Sequence, residues 1–353
     1  MAAKPKVDEV TLLERVLFKL ALAKDDAELE ASLKTYLCPV LLKGVSPNPK
    51  AREKVMAILM HVNKMVKMRP NLSLPVDALL EQFASSSVPA PIKNFTKIYL
   101  CNGWARITED RRRELAPAVL RACVGRTESQ AIAVLLLTVP VLGGIAPKGD
   151  PADVPGRLAA VGLATETGRA LALAILRDVL LLENADCQPT RPVSAESSRL
   201  PPPPGGLSRY RLHRVAGKSG AANGFDAETK VIAVKREIVR FLAAHGAELG
   251  LDIFPHLVIA SGDRHHEVAS EAATALKRLV TKSDYSRGPV ADCLMQLIIG
   301  TPPSQKGIPA DNRVTPAGHT LRAVLLGHLL RSPTAATTFP LAFDVIRFVC
   351  VDG

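Results

Sequence analysis

FPHLVIASGDRHHEVASEAATALKRLVTK, residues 254–282, is the stretch from which the fold can be read. The run from Ile253 to Ala260 is almost continuously apolar, as suits a helix covered on most sides. Ser261-Gly262-Asp263-Arg264 is a short polar break. Beyond it Val268, Ala272, Ala275, Leu276 and Leu279 recur at spacings of three and four, which gathers them on one face of a second helix. Asp263 stands where an N-cap belongs, with a carboxylate able to accept from the free amides of the next turn. The stretch therefore predicts two helices folded into a hairpin. Such a hairpin cannot bury its own apolar face and has to stack on neighbours.

The same signals recur outward along the chain. The order Asp, Val five residues on, then Ala and Leu at further steps of four is a HEAT-type pattern. A first helix runs from Asp8 to about Ala23 on the stripe Val10, Leu13, Val16, Leu17 and Leu20. Asp25-Asp26 restarts helix, and Pro39 is expected to end or kink it. Ser46-Pro47-Asn48-Pro49 is a turn opening a helix over 50–67, with Ala51, Val55, Ile58, Leu59, Val62 and Val66 inward and Arg52 near its start. Further helices are predicted over 76–83, 92–101, 109–124 with Thr108 as cap, 129–139, 169–182, from Asp226 to His245, and over 290–299, 320–330 and 335–349. Residues 143–156 read as a loop. The organisation expected is HEAT-like repeats over 1–184, a Pro/Gly/Ser-rich disordered insertion or linker over 185–224, and more repeats over 225–353. The final apolar run, 345–350, has no polar cap after it, so the repeats are expected to continue beyond it. The fold class predicted is all-α, an irregular HEAT-like solenoid of stacked helical hairpins.

Composition agrees with close-packed helices. Apolar residues make up 47% of the 353 but aromatics only 4%, with Trp104 the one tryptophan. The net charge of +11 raises the question of an acidic partner. The basic residues are dispersed, the densest runs being Arg111-Arg112-Arg113 and 209–218, whereas nucleic-acid binders usually concentrate charge and add stacking aromatics. Solvated faces or an acidic protein partner fit this better than nucleic acid. Six cysteines lie far apart with no C-x-x-C pair; four fall inside apolar helical patterns, which predicts buried free thiols there and a reducing compartment. The first residues, MAAKPKVDEV, lack a signal-peptide core. The longest apolar run, 131–145, is broken by Pro140 and Gly143-Gly144 and falls short of a membrane span. A soluble chain of cytoplasm or nucleus is expected.

Candidate chemistry is thin. His265 and His266 are adjacent, so on a helix they diverge by about 100° and share one metal poorly. Ala216-Gly217-Lys218-Ser219-Gly220 has the end of a P-loop, but Leu212 stands where the first glycine is required. Ser261 has no positioned base, and no G-x-S-x-G occurs. The pairs Asp25-Asp26 and Glu109-Asp110 sit at helix starts, where free amides and the dipole account for them. Pro201–Pro204 is either a polyproline ligand or a stiff spacer. No catalytic, cofactor-binding or metal-ligating residue is assigned.

Short segments spread over the chain carry a resemblance. They are LERV at 13–16, LCPVLLK at 37–43, KVM at 54–56, NFTKIY at 94–99, ELAP at 114–117 and DVLL at 178–181. The prolines before Arg214-Val215 follow, then HLVIAS at 256–261, HLLRS at 328–332 and AATTFP at 335–340. In this order and spacing they resemble the N-terminal region of the proteasome adaptor and scaffold family, very large HEAT-repeat proteins associated with the proteasome. The chain departs from it over 125–166, 217–223 and 288–315. The resemblance implies a non-catalytic scaffold without cofactor that bridges the proteasome's regulatory and core particles. It also implies roles in assembly quality control and in coupling to membrane-trafficking and motor proteins, in cytoplasm and nucleus and at endoplasmic reticulum and endosomes. It supplies no residue-level binding site. A transport-receptor-type solenoid, a basic nucleic-acid binder and, last, a hydrolase are the other readings.

Overall fold

The computed structural model describes residues 8–182, 203–216, 228–280, 288–302 and 305–331, with 343, 346, 347 and 350. Two compact units divide at Leu137 and Thr138. Among the described residues there is no strand, only one antiparallel bridge between Ser208 and Val314.

The first unit is built from α1 (Glu9–Ala21), α2 (Asp26–Leu42), α3 (Pro49–Met68), α4 (Val76–Ala84), α5 (Ala90–Trp104), α6 (Glu109–Ala122) and α7 (Glu128–Thr138). Local chemistry sets the starts. The Asp25 carboxylate accepts from the Glu28 amide at 2.8 Å, and Asn48 caps α3 with Pro49 at its first position. Arg52 reaches back from α3 to the carbonyls of Ser46 and Pro47, which fixes the turn. Every residue of the predicted α3 stripe is buried, and α3 packs on α1. Tyr99 on α5 donates to the Leu59 carbonyl at 3.3 Å, and Arg106 donates to that of Val66 at 2.7 Å. The second bond satisfies a carbonyl in the last turn of α3, which has no partner within the helix.

Pro39 does not end α2, which continues to Leu42. It lies on the exposed side of the last turns, so only one amide hydrogen bond is lost and the carbonyl it frees can be hydrated.

The second unit contains α8 (Val154–Ala160), α9 (Glu166–Leu180), α10 (Arg209–Ala216), α11 (Glu228–Ala244), α12 (Gly246–Leu249), α13 (Phe254–Ser261), α14 (His266–Val280), α15 (Gly288–Ile299) and α16 (His319–Leu330). The hairpin of residues 254–282 is α13 and α14. Residues 254–260 are all buried, and so are Val268, Ala272, Ala275, Leu276 and Leu279. It stacks on α9, α11, α15 and α16. At about 1.5–3 kcal/mol for each large apolar side chain buried, this stripe outweighs the unit's surface charge pairs. Each unit is thus an irregular, HEAT-like stack of helical hairpins, all-α as the periodicity predicts.

Two stretches differ from expectation. Residues 143–156 are not wholly loop, because Pro155 at the first turn and an Asp153 side chain accepting from the Gly156 amide start α8 there. Of the expected linker 185–224 only 203–216 are described, and they hold α10, anchored by buried Leu207 and Val215. Of the helix predicted over 335–349 only 343, 346 and 347 are described, and these are helical; the Asp226 cap lies outside the described residues.

Candidate functional site

Asp178 sits on the apolar face of α9 with its side chain wholly out of solvent. A carboxylate in that position must be paired, since desolvating it alone would be prohibitive. Two arginines of α10 supply the pairing. Arg211 grips both oxygens, Nε donating to Oδ2 at 3.2 Å and Nη2 to Oδ1, and Arg214 Nη2 also donates to Oδ2, at 2.7 Å. Burial pulls the Arg211 guanidinium below its ordinary value, with Arg177 and Arg214 adding repulsion and Asp178 opposing it. The ionic contact explains why a stretch of loop-like composition folds back as helix. It also joins two segments of the family resemblance, DVLL at 178–181 and Arg214-Val215.

Behind this cluster opens a cleft of about 540 Å³ between α9, α10 and α15. Its polar lining is Arg177, Arg211, Asp292, Gln296, Thr301 and Gln305, set among apolar side chains such as Leu297, Ile308 and Val314. Gly300 ends α15 with φ +67° and forms the turn into the cleft wall. A Cβ there would stand 2.6 Å from the Val314 carbonyl oxygen, so only glycine lets the two backbones approach. Thr301 is held by its amide donating to the Val314 carbonyl at 3.0 Å and its hydroxyl accepting from the Val314 amide at 2.9 Å.

Asp263 is less a helix cap than a buried ion-pair partner. One oxygen accepts from the His265 amide at 2.9 Å, and the other meets Lys235 of α11, both side chains being 4% exposed. His265 is half-buried, its Nε2 taking a hydrogen bond from Arg264, while His266 is exposed. Among the described residues no cluster of His, Cys, Asp or Glu could hold a metal ion. Residues 217–220, the P-loop-like end, lie outside the described residues, as do Pro201 and Pro202. Pro203 and Pro204 are half-buried, and the Pro204 carbonyl accepts from the Leu207 amide. Burial raises the Cys38 and Cys101 thiols to about 11 and Cys123 to about 12, far from the nucleophilic range.

The basic runs are largely neutralised in place. Arg111 pairs with Asp77 and Glu114, and Arg113 with Glu109 and Asp110. Arg112 donates to the carbonyls of Trp104 and Ala105. In the second run Arg209 meets Asp311, and Arg211 and Arg214 meet Asp178. Among the described residues, the arginines of both runs thus have partners within the chain. Among the described residues no helix is long and apolar enough to cross a membrane.

Sequence reasoning missed Arg177, Arg211 and Lys235. A signal was present for Arg211 and Lys235: Asp178, the partner of Arg211, and Lys235 itself each interrupt an apolar stripe, and a charge in that register demands a partner from elsewhere.

Stacked amphipathic hairpins closed by internal ion pairs define a class, the helical-repeat proteins of HEAT type. Within it the chain belongs to the family described as proteasome component ECM29, N-terminal, whose model matches residues 13–352. It is 31% identical over 363 residues to the human proteasome adapter and scaffold protein ECM29, covering 98% of this chain and 19% of that protein. It is 33% identical to the Drosophila melanogaster proteasome-associated protein ECM29 homolog over 92% of this chain and 16% of the relative. The Schizosaccharomyces pombe proteasome component ecm29 is 28% identical over 38% of this chain. The chain thus spans less than a fifth of the length of the first two relatives. No solved structure matches.

Proposed function

We propose that this chain is part of a non-catalytic adaptor that binds the proteasome and helps link its regulatory and core particles. The family match across residues 13–352 carries the reading, since the relatives' names make them proteasome components, adapters or scaffolds. The architecture supports it: stacked hairpins present surfaces at fixed spacing, which is the work of a scaffold. Neutralised basic runs favour a protein partner over nucleic acid. Assembly quality control, contacts with trafficking and motor proteins, and placement in cytoplasm and nucleus and at endoplasmic reticulum and endosomes follow from the family resemblance as part of the same proposal. The test is affinity capture from cell lysate on the immobilised chain, with mass spectrometry. Proteasome subunits should dominate the eluate. Recovery of transport-receptor cargo or RNA, without proteasome subunits, would overturn the reading.

A further inference from the structure

The cleft between α9, α10 and α15 is lined by Arg177, which no carboxylate pairs among the described residues. The nearby buried carboxylate, Asp178, accepts from Arg211 and Arg214 instead. Asp292 also lines the cleft, but it is exposed and lies outside salt-bridge reach of Arg177. Arg177 is therefore left with a weak contact, Nη1 to the Sγ of Cys293 at 3.7 Å. A cationic side chain lining a cleft with so weak an acceptor can take a carboxylate that enters there, as a charge-assisted hydrogen bond.

The remaining lining narrows the class of anion. A volume of about 540 Å³ accommodates a few side chains. Among the described residues no aromatic lines the cleft on which a nucleic-acid base could stack. The amides of Gln296 and Gln305 can instead donate to and accept from a peptide backbone, and Leu297, Ile308 and Val314 can receive apolar side chains. We propose that this cleft binds a short, extended, acidic segment of a partner protein, with Arg177 receiving a Glu or Asp carboxylate and the two glutamines contacting the backbone.

The test uses the full chain and three fluorescein-labelled probes followed by anisotropy. The probes are a ten-residue peptide of alternating Glu and Val, its Gln/Val counterpart, and a ten-nucleotide single-stranded DNA. The Glu/Val peptide should bind best. Arg177→Gln should weaken it about tenfold, the loss of a charge-assisted hydrogen bond, and Arg177→Lys should weaken it less. The exposed control Lys64→Gln should leave it unchanged. Should Arg177→Gln lower the melting temperature, Asp292→Asn serves in its place: removing an exposed repelling carboxylate should tighten the Glu/Val peptide about twofold. Equal binding of the Gln/Val peptide, tighter binding of DNA, or an unaltered affinity in both site variants would overturn the proposal.

Discussion

Replacing Asp178 with Asn removes the charge shared by Arg211 and Arg214 and keeps the side chain's shape. Asp178 is 0% exposed, and the two arginine side chains are only 16% and 13% exposed, so little water is available to replace the lost carboxylate. Removing one partner of a buried ionic contact costs about 3–5 kcal/mol. The lower end applies here, because both guanidiniums keep some solvent, and about 3 kcal/mol is expected. For a unit of this size that corresponds to a fall in Tm of about 6–12 °C. Trp104, the one tryptophan, lies in the first unit, so its fluorescence gives a local control. Thermal unfolding followed by circular dichroism should show the second unit melting early, while the Trp104 transition stays where it is. The triple variant Asp178→Leu, Arg211→Met, Arg214→Met removes every charge of the cluster and should recover to within about 1 kcal/mol of the native chain. A single variant that melts with the native protein would refute the claim that this cluster holds α10 against α9.

Other perturbations read different parts of the fold. Leu276→Asp places an unpaired charge where the side chain is 6% exposed and should cost several kcal/mol, seen as lost helicity and an earlier melt; unchanged melting would mean that the face of α14 is misassigned. Burial lowers His256 to about 4, against its hydrogen bond to the Leu173 carbonyl and with help from the charge of Arg177. The unfolded chain takes that proton near pH 6.5 and the folded chain only near 4, so stability is complete above the upper value and falls as pH drops between the two. Urea unfolding at pH 7 and pH 5 should differ by about 2 kcal/mol from this residue, with His245 and His328 shifted the same way, and His256→Gln should flatten the slope. Iodoacetamide at pH 8 should label exposed Cys350 readily and Cys38, Cys101 and Cys123 at least about a hundredfold more slowly. Even labelling of all four would contradict their burial.

Apolar periodicity made most of the helices legible. The stripes of α3 and α14 were readable residue by residue, because one amphipathic helix reports its own buried face without help from the rest of the chain. Pro39 misled because its effect depends on where it falls: near a helix end and facing solvent, it removes one bond and no packing. Residues 209–216 misled for a different reason. Their composition is that of a linker, and what makes them helix is Asp178, a charge some thirty residues away that local pattern cannot connect to them. The same holds for the cleft. Arg177 reads as an ordinary polar position on α9 until α10 and α15 stand around it. Long-range ionic contacts between hairpins were the illegible part, while stacking faces were the legible part.

Cosedimentation of purified proteasomes with the purified chain bears most directly on the scaffold proposal. The chain is predicted to travel with the intact proteasome, in proportion to the proteasome added and saturating at one or a few chains per proteasome. A chain that stays at the top of the gradient at every proteasome concentration, while retaining its native helicity, would contradict it.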